Sequence, residues 1–200
     1  MEIGVTTDLT IPIAISARHV HLTSQSIAAL FGAGHSLVVH APLFQPGEFA
    51  AEETVTLIGP KGSLTRVRVV GPPRAEDQVE ISRTDEMALG LDAPVRVSGE
   101  LDHTPGITLG GPAGRLQLGH GVVLARRHVH MNPAEAARLG VHDRQMVQVA
   151  INNPERALIF KDVIVRVSPR YRLELHLDTD EGNAAGVRPG DRAMLLAASS

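Results

Sequence analysis

A seven-residue phrase that is echoed later in the same chain, with Arg-His-Val-His identical in both, points to a fold that can be built twice. Ser16-Ala17-Arg18-His19-Val20-His21-Leu22 returns as Ala125-Arg126-Arg127-His128-Val129-His130-Met131, and each copy runs into a helix-like segment. In the second copy Asn132 is an N-cap, Pro133 suits the first helical position and Glu135 can close a capping box. In the first copy Thr23 is the cap, and both helices stop at a glycine, Gly32 or Gly140. A later echo sets Thr84-Asp85-Glu86 before Ala88-Leu89-Gly90 and Thr179-Asp180-Glu181 before Ala184-Ala185-Gly186. Short β-branched runs such as Val67-Arg68-Val69, Val147-Gln148-Val149 and Val163–Val167 fill the intervals. Many short strands and only brief helices predict a mainly β chain of two small closed β-barrels related by internal duplication, each with short α-helices. The first domain is placed at 18–125 and the second at 126–200.

Composition narrows the chemistry. Of the 200 residues, 43% are hydrophobic but only 2% aromatic, with no Trp and one Tyr, so the core must be aliphatic and base stacking has no platform. A formal charge of -3 gives no surface to neutralise phosphodiesters, which excludes nucleic acid as a partner. The absence of Cys excludes disulfides, thiolate nucleophiles and thiolate metal sites. Residues 1–17 have neither the basic start nor the apolar run of a signal peptide, and the uncharged stretch from His19 to Gly47 is too often broken by Gly and Pro to span a bilayer. The chain is therefore expected to be cytoplasmic, without a membrane partner. It has ten histidines, and their placement carries the chemistry.

Side chains alternate along a strand, so His19 and His21 point to one side and Val20 to the other, as do His128 and His130 around Val129. A lone His-x-His is more often a surface or packing feature than a metal grip. Its recurrence before matching helices favours ligation, since imidazole is the commonest metal ligand. A third ligand is nominated by the later echo: Glu80 between Val79 and Ile81, and His176 between Leu175 and Leu177, equivalent to within one residue. Glu80 could instead lie on a solvated face, and His176 could pair with Glu174. The duplication favours one metal on His19, His21 and Glu80 and another on His128, His130 and His176. Three protein ligands leave each ion open positions, the catalytic pattern of zinc. Gly59-Pro60-Lys61-Gly62 and Gly110-Gly111-Pro112-Ala113-Gly114 match no phosphate-binding loop and read as turns. Arg74, six residues before Glu80, has a guanidinium fork suited to phosphate or carboxylate.

Ile15–Leu22, Gln45-Pro46-Gly47, Gln78-Val79-Glu80-Ile81-Ser82, Ala125–Met131 and His176-Leu177-Asp178-Thr179-Asp180-Glu181 together resemble the PduL-type phosphotransacylases, or phosphate propanoyltransferases. The resemblance runs from about Ile11 to the C-terminal strand. It implies exchange of a short acyl group, acetyl or propanoyl, between CoA and inorganic phosphate, with two zinc ions on the six ligands above. It also implies that a strand at about 8–17 completes the second barrel, that Arg74 binds phosphate, and that CoA meets Ser16, Arg68 and Asn183. A lysine of the family's CoA pocket has no equivalent near His40, and Ala17 stands where the family more often has Asn. Family members often form homodimers. Those of bacterial microcompartments carry an N-terminal amphipathic extension, whereas only about ten residues precede the first strand here, too few for a docking helix.

On this reading one zinc polarises the thioester carbonyl or holds the departing thiolate, while Arg74 and the second zinc orient phosphate for direct attack. An acyl-cysteine is impossible. The alternative is a two-zinc hydrolase of esters, amides or phosphoesters, whose general base would have to be Asp85, Glu86 or Glu181. A third reading, a metal-binding barrel of cupin type using Glu135, fails if Asn132-Pro133 starts a helix.

Overall fold

The computed structural model describes residues 10–196. Its elements are, in chain order, strands β1 (Thr10–Ser16) and β2 (His19–His21), helix α1 (Ser24–Phe31), strands β3 (Val39–Pro42), β4 (Phe49–Ile58), β5 (Ser63–Gly71) and β6 (Gln78–Ile81), and helix α2 (Arg83–Leu89). Strands β7 (Val95–Arg96), β8 (Ile107–Gly110), β9 (Arg115–Leu118), β10 (Val122–Ala125) and β11 (His128–Met131) lead to helix α3 (Pro133–Leu139). Strands β12 (Met146–Ile151), β13 (Leu158–Val167) and β14 (Glu174–Asp178), helix α4 (Thr179–Ala184) and strand β15 (Arg192–Leu196) complete the chain. The first two residues of the strand expected at 8–17, and the segment read as too short to dock, lie outside the described residues.

The chain divides into two compact units. Among the described residues, one combines 10–15, 127–177 and 181–196, the other 16–126 and 178–180. The first contains a closed barrel with strand order β1-β14-β11-β13-β12-β15, sealed where Thr10, Ile11 and Pro12 pair with Met194, Ala193 and Arg192. Its interior is aliphatic: Ile11, Val129, Val149, Val165, Leu175 and Ala193 are fully buried. Burying a side chain of Val or Leu size contributes roughly 1.5–3 kcal/mol, so the aromatic-poor composition is no obstacle to a core.

The second unit contains a nine-stranded sheet ordered β7-β10-β6-β2-β5-β4-β8-β9, with β3 also on β4. Here the expected closure is not met: the sheet is a half-barrel, for a reason that can be read from its neighbours. By order after the repeated phrase, β5, β4 and β7 correspond to β13, β12 and β15. The barrel closes because β12 pairs with β15, but the matching edge of β4 is taken by β8, which leaves β7 on β10 at the far end of the sheet. The β8–β9 hairpin thus occupies the edge at which closure would occur.

The repeat extends to backbone detail. Arg66 in β5 and Asp162 in β13 both adopt left-handed φ, 56° and 55°. Each stands two residues before the strand position that pairs in parallel with the first histidine of its motif, Arg68 with His19 and Ile164 with His128. Non-glycine residues in this region are kept only where the surroundings enforce it, so the two halves share one kink. The helix signals hold as well. Thr23 caps α1, and Asn132 and Glu135 form the capping box of α3, which ends at Gly140 in the left-handed conformation. That box also removes Glu135 from the cupin reading. No helix among the described residues is long and apolar enough to cross a membrane.

Candidate metal centres

In the half-barrel unit, β2 lies between β5 and β6, and its register sets His19 opposite Glu80 and His21 opposite Gln78. Val20 is fully buried in the core, so strand alternation turns both imidazoles to the other face. Their Nε2 atoms are 3.2 Å apart, and Glu80 brings Oε2 to 3.6 Å from His19 Nε2 and Oε1 to 4.0 Å from His21 Nε2. Glu80 is only 8% exposed, which removes the solvated-face reading. The Nδ1 of His19 lies 2.9 Å from the Ala17 carbonyl and that of His21 3.2 Å from the Val70 carbonyl. A carbonyl only accepts, so each Nδ1 donates, which leaves each Nε2 as the ring nitrogen that could meet an ion. Burial, with the adjacent His19 and Arg74 charges, lowers the pKa of His21 to about 3, so this ring is neutral and ready to ligate. Zinc bonds of 2.0–2.1 Å in a tetrahedron set ligand nitrogens about 3.3 Å apart, and the observed pair matches that spacing.

The barrel unit builds the same cluster from three imidazoles. The antiparallel register of β11 and β14 sets His128 opposite His176 and His130 opposite Glu174. The three rings form a nearly equilateral triangle, with centroids 4.6, 4.7 and 4.7 Å apart. In each triad, ligating atoms can be chosen that all lie within 4.8 Å of one another. Cross-strand register makes His176 the direct counterpart of Glu80. The one-residue offset seen in the sequence arises after these two residues, where Ser82 caps α2 before Arg83 while α4 starts directly at Thr179. His176 also meets Glu174, Nε2 to Oε2 2.9 Å, so the pairing weighed from the sequence is present as well as the triad geometry.

Arg74 reaches the first centre through its backbone: its N–H donates to the Leu22 carbonyl at 2.9 Å, pinning the loop just after β2. Its guanidinium, about one-third exposed, contacts Glu48 at 3.2 Å and Ser98 Oγ at 3.5 Å. Ser98 donates to Glu80 Oε1 at 2.9 Å and accepts from Gln78 Nε2 at 2.8 Å, while Gly99 N–H donates to Gln78 Oε1 at 2.9 Å. This network orients the Glu80 carboxylate. Gln78 stands two residues from Glu80 on the same strand face, a signal present in the sequence; Ser98 and Glu48 are brought in only by the fold.

The three CoA candidates lie on different elements. Ser16 is half-buried at the end of β1, and Arg68, the strand partner of His19, donates to the carbonyls of Ala51 and Glu52 at 2.8 and 3.1 Å. Asn183 is exposed on α4. The carboxylates required by the hydrolytic alternative are engaged elsewhere. Asp85 closes the α2 capping box and pairs with Arg18 at 2.7 Å. Glu86 accepts from the Ala93 N–H at 2.6 Å, and Glu181 pairs with Arg127 at 2.7 Å.

A model of the family described as phosphate propanoyltransferase matches residues 12–188. The phosphate propanoyltransferase of Escherichia fergusonii is 52% identical over 187 residues, covering 93% of this chain and 89% of that protein. The Thermotoga maritima protein of the same name is 50% identical over 92% of this chain and 88% of its own. That of Enterococcus faecalis is 46% identical over 94% and 88%.

Proposed function

Because the chain belongs to the phosphate propanoyltransferase family, and is thereby a phosphotransacylase, we propose that it moves an acetyl or propanoyl group between CoA and phosphate at centres that hold divalent zinc. The observation that carries the metal assignment is the 3.2 Å approach of two imidazole Nε2 atoms whose Nδ1 atoms are both tied to carbonyls, together with the recurrence of the triad in the other unit. His19, His21 and Glu80 would hold one ion and His128, His130 and His176 the other. Zinc so bound would supply positive charge for a carbonyl oxygen and for a departing thiolate.

The chain's own groups account for phosphate. Arg74 offers a partly exposed fork that now meets the Glu48 carboxylate through one nitrogen, and phosphate, like a carboxylate, is an anion that a guanidinium fork can hold through two oxygens. A phosphate oxygen attacks the acyl carbon, the carbon–sulfur bond breaks, and CoA leaves as thiolate and takes up a proton from solvent. The absence of cysteine makes a direct displacement the simplest route. Ser16, Arg68 and Asn183 are assigned to CoA. The enzyme works in the cytoplasm on diffusible reactants.

Thiol release from acetyl-CoA or propanoyl-CoA should require phosphate; release without it would mean a hydrolase. Loss of one charge-assisted pair costs about 1.5–3 kcal/mol, so Arg74→Ala should raise the phosphate KM at least about tenfold and leave that for acyl-CoA within about threefold. An unchanged phosphate KM would remove Arg74 from this role.

A further inference from the structure

The chain's one tyrosine, in a sequence without tryptophan, lies against a proposed metal ligand. Tyr171 lies in the turn between β13 and β14, where its N–H donates to the Ser168 carbonyl at 3.0 Å. Its ring stacks on His130 with centroids 4.1 Å apart and planes 20° from parallel. The Arg166 guanidinium carbon is 5.8 Å from the centroid of the same phenol, and Arg166 is the β13 residue in register with His130. Arginine, phenol and imidazole thus form one column whose root is set by strand pairing. The other unit holds its equivalent histidine differently, by the hydrogen bond from His21 Nδ1 to Val70 O.

We propose that Tyr171 is a positioning residue of the His128–His130–His176 centre. Its ring face, with Arg166 attracted to the same π system, fixes the plane of the His130 imidazole so that it presents its nitrogen to the ion. This inference rests on the proposal that the triad binds a divalent metal. An imidazole on a solitary strand residue rotates about two torsions, and a ligand held in one orientation loses less freedom when it binds. The stack needs the ring and not the hydroxyl, which separates this role from general packing or hydrogen bonding.

The test uses full-length protein in a His21→Ala background, so that zinc affinity, measured by competition with a chromophoric chelator, reports the barrel site. Support for residues outside the ligand shell is worth about 10–100-fold in affinity. Tyr171→Ala should therefore weaken zinc at least about tenfold, and Tyr171→Phe should stay within about twofold. Should Tyr171→Ala not fold, Tyr171→Leu fills the space without a π face and carries the same expectation. In the unsubstituted protein, tyrosine emission comes from Tyr171 alone and should be quenched as Co2+ fills the barrel site; His176→Ala should abolish the quenching and His19→Ala should not. If His176→Ala leaves the bound zinc unchanged, the metal assignment itself fails. If zinc is bound but the alanine and leucine variants hold it as tightly as the parent, or phenylalanine is as weak as alanine, or Co2+ leaves the emission unchanged, the positioning role is overturned.

Discussion

His21 shows how much one residue's surroundings decide. It is 3% exposed, and burial first, then the neighbouring His19 and Arg74, depress its pKa to about 3. The unfolded chain protonates the same ring near 6.5. Between these values the unfolded state binds the extra proton, so stability falls as pH drops from 6.5 toward 3, by up to about 1.4 kcal/mol per pH unit. Above 6.5 the group has no such effect. Metal-free protein should therefore lose denaturant stability on acidification through this window more steeply than metal-free His21→Gln; parallel curves for the two would show that His21 is not buried in its neutral form. The two triads are legible as proposed ligands because strand alternation leaves a mark in sequence, with Val20 and Val129 on one face and their flanking histidines on the other. Glu48 and Ser98 were not, because they reach Glu80 and Arg74 through loops whose paths no local pattern encodes.

At the level of elements, two glycine-rich segments that match no phosphate loop have a different task. In Gly59-Pro60-Lys61-Gly62 the Lys61 N–H donates to the Leu89 carbonyl at the end of α2, at 3.0 Å, and in Gly111-Pro112-Ala113-Gly114 the Ala113 N–H donates to the Leu30 carbonyl at the end of α1, at 2.9 Å. Hairpin turns thus satisfy helix C-termini that lack intrahelical partners. The approach requires glycine, since a Cβ on Gly59 or Gly111 would overlap the Leu89 or Leu30 carbonyl oxygen. Gly111→Ala should cost about 1–3 kcal/mol, the usual cost of forcing an atom into a packed site, as measured by urea denaturation. A loss below about 0.5 kcal/mol would mean that the hairpin and helix separate freely. The sequence marks these segments as turns but not what they dock against, which depends on tertiary approach. Helix caps such as Asn132 and Glu135 were readable because donor and acceptor lie three residues apart.

For the whole molecule, duplication is the organising fact. Each copy of the motif is preceded by a strand, β1 or β10, that pairs with the strand carrying the third member of its triad: β1 with β14, and β10 with β6. These strands are therefore flanked on both sides, His176 between β1 and β11 and Glu80 between β10 and β2, which holds the triads on interior strands rather than on fraying edges. The duplicated plan could be seen in the sequence because motif, helix and later echo recur in order. The failure of one sheet to close could not, since it depends on which of two strands, β8 or β7, captures the edge of β4.

Both triads are proposed to be metal sites. Elemental analysis of protein purified without added metal tests this most directly. Two divalent ions per chain are expected, falling to one in His19→Ala or His21→Ala and to one in His128→Ala or His176→Ala, with phosphate-dependent thiol release lost when the ions are removed and restored by Zn2+. Protein free of metal and fully active, or a metal content that none of these four substitutions changes, would contradict it.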